Sequence, residues 1–438
     1  VHEIKRQMRR AEHGLISAEN TISTFVKESP SDAIDRLNEA WKKTLFNQFH
    51  DIYAGTSLAS AYEDSRDQLG YARDVADNII YDTLFNSMRN IPDDKWQRIL
   101  VFNPSDHTFN GYLQHEPWID WSGFNGWIAD ENGNRIQHQR IQHESVTCAD
   151  RRLIWRAEIP PKSQKIYKLR TDEAPPLPDS DLRVGKYTIS NNFWIIMGTD
   201  DGSRLIQITR KSNGLPMFGW DSIGITSQYD NSDTWSHGIN RYQERIAGKF
   251  RQRKTIVEES GPLRASLRID TKFRSSLLTI WVRLYANDPR IELYLHIDWI
   301  QRLQISKLVL PFISPIISRL DGIPGGYVTR PQNGQEFPIV DWTLLNMYDG
   351  SNIGIVCPDC FSIDGFDNIV RFTLLRCPVY AWHDPTKLKE EAFHRFTDQG
   401  EHYFRFIIFE NTQPESLKEL ALSEHRPPIC LDCTKGME

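Results

Sequence analysis

The sequence contains no apolar run approaching the ~18 residues that a membrane-spanning helix requires. Its opening residues, Val1 to Arg10, are charged and helical in pattern, so neither a membrane partner nor a signal peptide is expected. Cysteine is scarce. Six in 438 residues cannot form a disulfide scaffold, which points to a reducing, cytoplasmic setting. Positive charge is not in excess: 52 Lys and Arg stand against 58 Asp and Glu, a net charge of −6. That argues against a nucleic-acid partner and leaves neutral ligands open. There is no G-x-S-x-G elbow, and Gly322-Ile-Pro-Gly-Gly326 lacks the Lys and helix of a phosphate loop. Internal repeats and low-complexity tracts are absent. No strand–helix alternation occurs that would build a parallel sheet.

Aromatic residues, by contrast, reach 11% (13 Trp, 15 Tyr, 21 Phe). Such enrichment suits β-rich folds and sugar-stacking surfaces, with most rings in the core. At this length two to four domains are expected.

The first 90 residues read as a three-helix bundle. Ile4, Met8, Ala11, Leu15, Ala18, Ile22 and Phe25 recur every three or four residues, with Lys5, Arg6, Arg9 and Glu12 on the other face. Ser29-Pro30-Ser31-Asp32 offers a cap, a first-position Pro and a first-turn acid for a second helix. In it Ile34, Leu37, Trp41, Leu45 and Phe49 are expected to face inward. Thr56 and Ser57, after a break at Ala54-Gly55, offer caps to a third helix, with Leu58, Ala61, Tyr62, Ser65, Leu69, Ala72, Ala76, Ile79 and Thr83 on its stripe.

Beyond Ile91-Pro92 the period becomes two. Strands are predicted at 98–102 and 153–159, making a small β-sandwich domain over 97–172. A Pro-rich linker follows at Glu173 to Pro178. Further strands are predicted at 186–190, 205–209, 263–271, 277–285, 291–299 and 307–310. They imply a large antiparallel β super-sandwich over 180–412, with 413–438 as a polar tail. The fold class is therefore α+β multidomain: helices first, antiparallel sandwiches after.

Four groups of residues can carry chemistry. Asn47-Gln-Phe-His-Asp51 crowds polar side chains at a helix C-terminus. His50 beside Asp51 is either a helix-ending pair favoured by the macrodipole or a metal donor that needs partners from elsewhere. His296-Ile-Asp298 puts two donors on one face of a strand, yet Leu293, Leu295, Ile297 and Trp299 read as the buried face of an ordinary strand. The pairs Cys357/Cys360 and Cys430/Cys433 would make a structural zinc site if they met, but they are too far apart in sequence for a zinc ribbon. Ser232-Asp-Thr-Trp-Ser-His237 is either a sugar pocket, with Trp235 stacking and Asp233 and His237 bonding hydroxyls, or a capped turn.

Leu45-Phe-Asn-Gln-Phe-His-Asp-Ile52 with Gly55-Thr-Ser57 resembles a segment of glycoside hydrolase family 38, the zinc-dependent α-mannosidases. Further matches follow in family order: Val101-Phe-Asn-Pro104, Ser232 to His237, Glu259 to Arg264, His296 to Trp299, Gly325-Gly-Tyr327 with Arg330-Pro331, and Leu374 to Pro378. They look most like the bacterial, cytoplasmic branch. The resemblance implies a retaining α-mannosidase in which zinc grips cis hydroxyls of mannose and a covalent mannosyl-enzyme forms. It makes His50 a zinc ligand and places Asp51 toward the bound sugar, with Asp233, Trp235 and His237 on the sandwich side of the cleft. The nucleophile, the general acid and the other zinc ligands belong to an N-terminal α/β barrel that these residues do not include. The chain alone is thus expected to be inactive, its partners being that barrel and a mannose-containing oligosaccharide, with a homo-oligomer left open. The alternative is a non-catalytic carbohydrate-binding or assembly β-sandwich module.

Overall fold

The computed structural model describes residues 1–27, 31–118, 124–142, 152–199, 206–219, 223–242 and 245–433. The expected cap at Ser29-Pro30 and the strand start at Leu205 lie outside them. Four helices open the chain: α1 (His2–Phe25), α2 (Ser31–Phe46), a five-residue turn of helix α3 (His50–Ala54) and α4 (Ala59–Met88). The α1 stripe is buried from Ile4 to Ile22, and Leu69, Ala72, Ala76 and Ile79 of α4 complete the same core. In α2 the expected stripe is buried at Leu37 and half-buried at Trp41, while Ala40 and Thr44, off that stripe, are fully buried. Ile34, Leu45 and Phe49 are exposed, contrary to expectation, because the packed line of α2 runs through Leu37, Ala40 and Thr44 and the helix stops at Phe46. Leu58 is also exposed rather than on the packed stripe. It occupies the cap position of α4, and neither Thr56 nor Ser57 caps that helix.

The run Ile99-Leu-Val-Phe102 is wholly buried because its strand, Gln97–Phe102, lies between two cores. Leu100 and Phe102 face the helices, whereas Ile99 and Val101 face a small sandwich. That sandwich joins a five-stranded sheet to a three-stranded one formed by Phe109–His115, Arg152–Ile159 and His138–Ile141. The described part of the segment expected as a tail, residues 413–433, holds secondary structure. It forms helix α5 (Pro414–His425) and a strand, Ile429–Cys433, that pairs antiparallel with Gln97–Phe102. A short amphipathic helix and a five-residue strand carry too weak a periodic signal to stand out in a polar segment.

The large sandwich follows the Pro-rich linker. A nine-stranded and a six-stranded antiparallel sheet close over one apolar core, with a four-stranded sheet packed against it. Strand Ile291–Trp299 is central in the larger sheet, between Ser276–Tyr285 and Gly400–Glu410. Gly322 to Gly326 spans a β-hairpin whose turn takes Gly325 to φ +80°, and so has a backbone reason for its glycines. The helices lean on this sandwich through the charged side of α1, where Arg6 pairs with Asp359 (3.2 Å) and Arg9 with Asp341. No helix among the described residues is long and apolar enough to cross a membrane.

Candidate functional site

The turn at His50 is built from backbone outward. Helix α2 ends in two tight i→i−3 turns, Gln48 N–H to Leu45 O and Phe49 N–H to Phe46 O, both 3.1 Å. Asn47 is buried beneath them, its amide donating to Lys43 O and to Gln68 Oε1 of α4, each at 2.8 Å. Gly55 ends α3 in the left-handed region at φ +100°, where a Cβ would lie 2.7 Å from the Val1 side chain. Asp51 ties the two ends together. Its carbonyl accepts the N–H groups of Thr56 and Ser57 (2.9 and 3.1 Å) and the Tyr62 hydroxyl (3.1 Å), while its carboxylate accepts Thr56 Oγ1 at 2.7 Å.

His50 projects from this braced turn with its side chain 78% exposed, touching only the Phe49 ring and, at 3.3 Å, Asp51 Oδ2. Among the described residues no group of three metal-capable side chains includes it. The residues therefore fit the implied zinc as one outward imidazole with a carboxylate beside it, the remaining donors coming from elsewhere. Leu45, Phe46, Phe49 and Leu58, before and after it in the chain, are each more than half exposed.

The second polar segment, Asp230 to His237, is held from a distant strand. Arg376, at the end of Ile369–Arg376, donates to Asp230 Oδ2 (2.7 Å), Ser232 Oγ (2.9 Å), Thr234 O (2.9 Å) and Asp233 O. Thr234 Oγ1 donates to Val379 O and accepts from Trp382 N–H. The Asp233 side chain is 1% exposed, with both oxygens in use. Oδ1 accepts His237 N–H (3.1 Å), and Oδ2 accepts His237 Nδ1 (2.6 Å) and Asp384 N–H (2.9 Å). Burial alone would raise this carboxyl, but the Asp384 and His237 hydrogen bonds outweigh it and hold it at about 2. The Asp233 side chain is thus buried and committed within the loop rather than exposed to a ligand. It fixes His237 through Nδ1, which donates to Oδ2 and sets the direction of the ring. Trp235 is 38% exposed and lies beside His237 and His383. Asp233, His237 and His383 present donor atoms within 4.8 Å of one another.

The two segments meet. Ala54 and Gly55 from the first and Thr234 from the second, with Tyr242 and Arg376, line one cavity of about 190 Å³. A second cavity of about 520 Å³ lies on the outer side of the Asp230–His237 loop, lined by His237, Tyr242, Trp382 and Asp384 among others. Sequence reasoning missed Arg376, His383 and Asp384 as parts of this loop. Hydrogen bonds across more than a hundred residues leave no local signal, although Arg376 does lie within one of the quoted motifs.

The other candidates are structural. His296 and Asp298 share a face as expected, over a buried face of Leu293, Leu295, Ile297 and Trp299. His296 stacks flat on Tyr403 at 4.5 Å and belongs to no donor cluster. The two cysteine pairs do not meet. Cys357 and Cys360 close a tight turn inside the large sandwich core, Cys433 belongs to the helical core and Cys430 packs on the small-sandwich core. Being three apart on one strand, Cys430 and Cys433 point to opposite faces. The shared four-thiolate zinc site is therefore excluded. Burial pushes the Cys430 thiol up to about 12 and those of Cys357 and Cys360 well above the usual range.

Residues 2–86 match the profile of the alpha mannosidase middle domain, and residues 190–383 that of the glycosyl hydrolases family 38 C-terminal domain. No curated protein sequence matches the chain. Two solved structures from Enterococcus faecalis share its fold. One, described as a protein in glycosyl hydrolase family 38, superposes with a TM-score of 0.77 at 14% identity, covering 100% of this chain and 60% of its own. The other, described as an alpha-mannosidase, gives 0.75 at 14% identity, covering 99% and 57%. This chain therefore spans about three fifths of the length of the structures it matches.

Proposed function

The chain belongs to glycoside hydrolase family 38, of which it carries the middle and C-terminal domains, and on that premise we propose that it forms the helical and sandwich side of the cleft of a zinc-dependent, retaining α-mannosidase. The carrying observation is the turn at His50. Its backbone is over-determined from below while its imidazole stands free, which is what a donor to a metal held jointly with another domain requires. The apolar rim of Leu45, Phe46, Phe49 and Leu58 supports a further domain seated on this face. The zinc would polarise substrate hydroxyls and help to fix the sugar ring. Asp51, with one oxygen held by Thr56, keeps the other beside the imidazole, where it can orient His50 or accept a sugar hydroxyl. On the Asp230–His237 loop Trp235 offers a stacking face, and His237 offers an imidazole whose direction Asp233 sets.

One imidazole cannot position both a metal and a nucleophile, so the purified chain with added Zn²⁺ should not hydrolyse an aryl α-mannoside. Turnover abolished by His50→Ala would overturn the shared site. In a chain extended to include an N-terminal barrel, the same substitution should remove bound zinc and hydrolysis together. If both survived, His50 would not be a ligand.

A further inference from the structure

A second histidine site lies at the start of α1, and the reading above is not needed to see it. His2 and His402 are 6% and 3% exposed, and their Nδ1 atoms face each other at 3.3 Å. Each ring has its other nitrogen engaged with a backbone carbonyl, His2 Nε2 with Asp359 O at 2.8 Å and His402 Nε2 with Asp398 O at 3.1 Å. A carbonyl only accepts, so both Nε2 atoms carry hydrogen. In neutral rings both Nδ1 atoms are then lone pairs pointing at each other, an arrangement that repels unless a cation lies between them. Burial lowers both imidazoles, His2 to about 3, which favours neutral rings at pH 7. A carboxylate oxygen of Glu3 comes within 4.8 Å of a ring nitrogen of each histidine.

We propose that His2, His402 and Glu3 bind a divalent transition-metal ion, zinc in the first instance, at a structural site distinct from His50. Two nitrogens bound tetrahedrally to one zinc at ~2.05 Å are about 3.3 Å apart, which is the spacing seen here. Donation of each remote N–H to a backbone carbonyl is the usual way a ligating imidazole is held in its tautomer. Two imidazoles and one carboxylate favour zinc over magnesium or calcium. His2 also lines the 190 Å³ cavity, which gives an ion and a completing water a way in. The ion would tie the first turn of α1 to strand Gly400–Glu410. That turn also supports the His50 loop, since the Val1 side chain lies under Gly55 and the Lys5 ammonium lies over the Tyr53 ring at 5.6 Å.

The test is titration of the metal-stripped chain with Zn²⁺ by calorimetry and with Co²⁺ by absorption. His402→Gln and Glu3→Gln would be compared with His50→Ala and with a His237→Ala/His383→Ala double variant. The expected result is one tightly bound ion per chain, a higher Tm with metal, and a Co²⁺ spectrum of nitrogen and oxygen ligands. His402→Gln should weaken binding by about a hundredfold or more and Glu3→Gln by about tenfold, while His50→Ala and the double variant bind as the parent does. Glu3 is only half-buried, so its variant decides the matter if His402→Gln fails to fold. Absence of a stoichiometric ion would overturn the site and leave a proton shared between the rings. Loss of the ion in the double variant alone would also overturn it and move the metal to the Asp233–His237–His383 cluster.

Discussion

The turn at His50 and the loop at Asp230–His237 border the same cavity, yet the first is braced beneath its outward side chain and leaves that side chain nearly free, while the second ties down most of its polar atoms. Beneath His50 the fixed groups are Asn47, Asp51 and Gly55, and the imidazole itself has no strong partner. In the other loop one guanidinium gathers four acceptors, and a buried carboxylate takes three hydrogen bonds. A group that must bind something from outside cannot already be satisfied, so the sparse turn has the character of a donor. The dense loop has that of a wall whose exposed elements, Trp235 and His237, are held at a fixed angle.

This contrast is most severely tested at Arg376. Its guanidinium faces Asp230, whose side chain is 2% exposed, so Arg376→Met leaves a buried carboxylate without its cation. A loss of about 3 kcal/mol is expected in chemical denaturation. A loss under about 1 kcal/mol would mean that the loop does not depend on this strand.

Acid should act next. The ordinary carboxyl value is near 3.8, and Asp233 is held at about 2 in the folded chain. The unfolded chain therefore binds the proton first as pH falls. The stabilisation is complete above about pH 4 and is lost on descending through about pH 2. The shift corresponds to about 2 kcal/mol, and Asp233→Asn should remove that part of the acid limb in urea midpoints measured against pH. An unchanged limb would show that the carboxylate is not held as described.

Much of this was legible in the sequence, and the failures share a cause. Ile4 to Ile22, the run at 99–102 and the alternation at 291–299 announce their elements because the pattern that buries them is local. The His50 turn was found as a crowd of polar residues at a helix end. Its geometry was not, because Gln68 and Tyr62 hold it from the next helix. At Asp233 the sequence leaves a sugar contact and a capped turn equally open, because the Asp384 bond that commits its carboxylate comes from 151 residues away. Ile429–Cys433 reads as tail because its partner strand, Gln97–Phe102, lies more than 300 residues earlier in the chain. Long-range partners decide which polar residues remain free, and they leave no periodic trace.

The smallest expected change in stability is the one that separates the two regions best. Asn47→Ala removes a buried amide and its bonds to Lys43 O and Gln68, so it should cost about 1.5 kcal/mol. His50→Ala, three residues on, removes a side chain 78% exposed, and its denaturation midpoint should move by less than about 0.5 kcal/mol. If His50 served the fold, the two substitutions would cost alike and neither would depend on metal. If it serves a shared zinc, it should be silent in the isolated chain, whereas metal and hydrolysis should both be lost once a barrel is present. A cost above about 1 kcal/mol in the isolated chain would place the imidazole among the groups that hold the turn, and would remove the reason for treating it as a waiting donor.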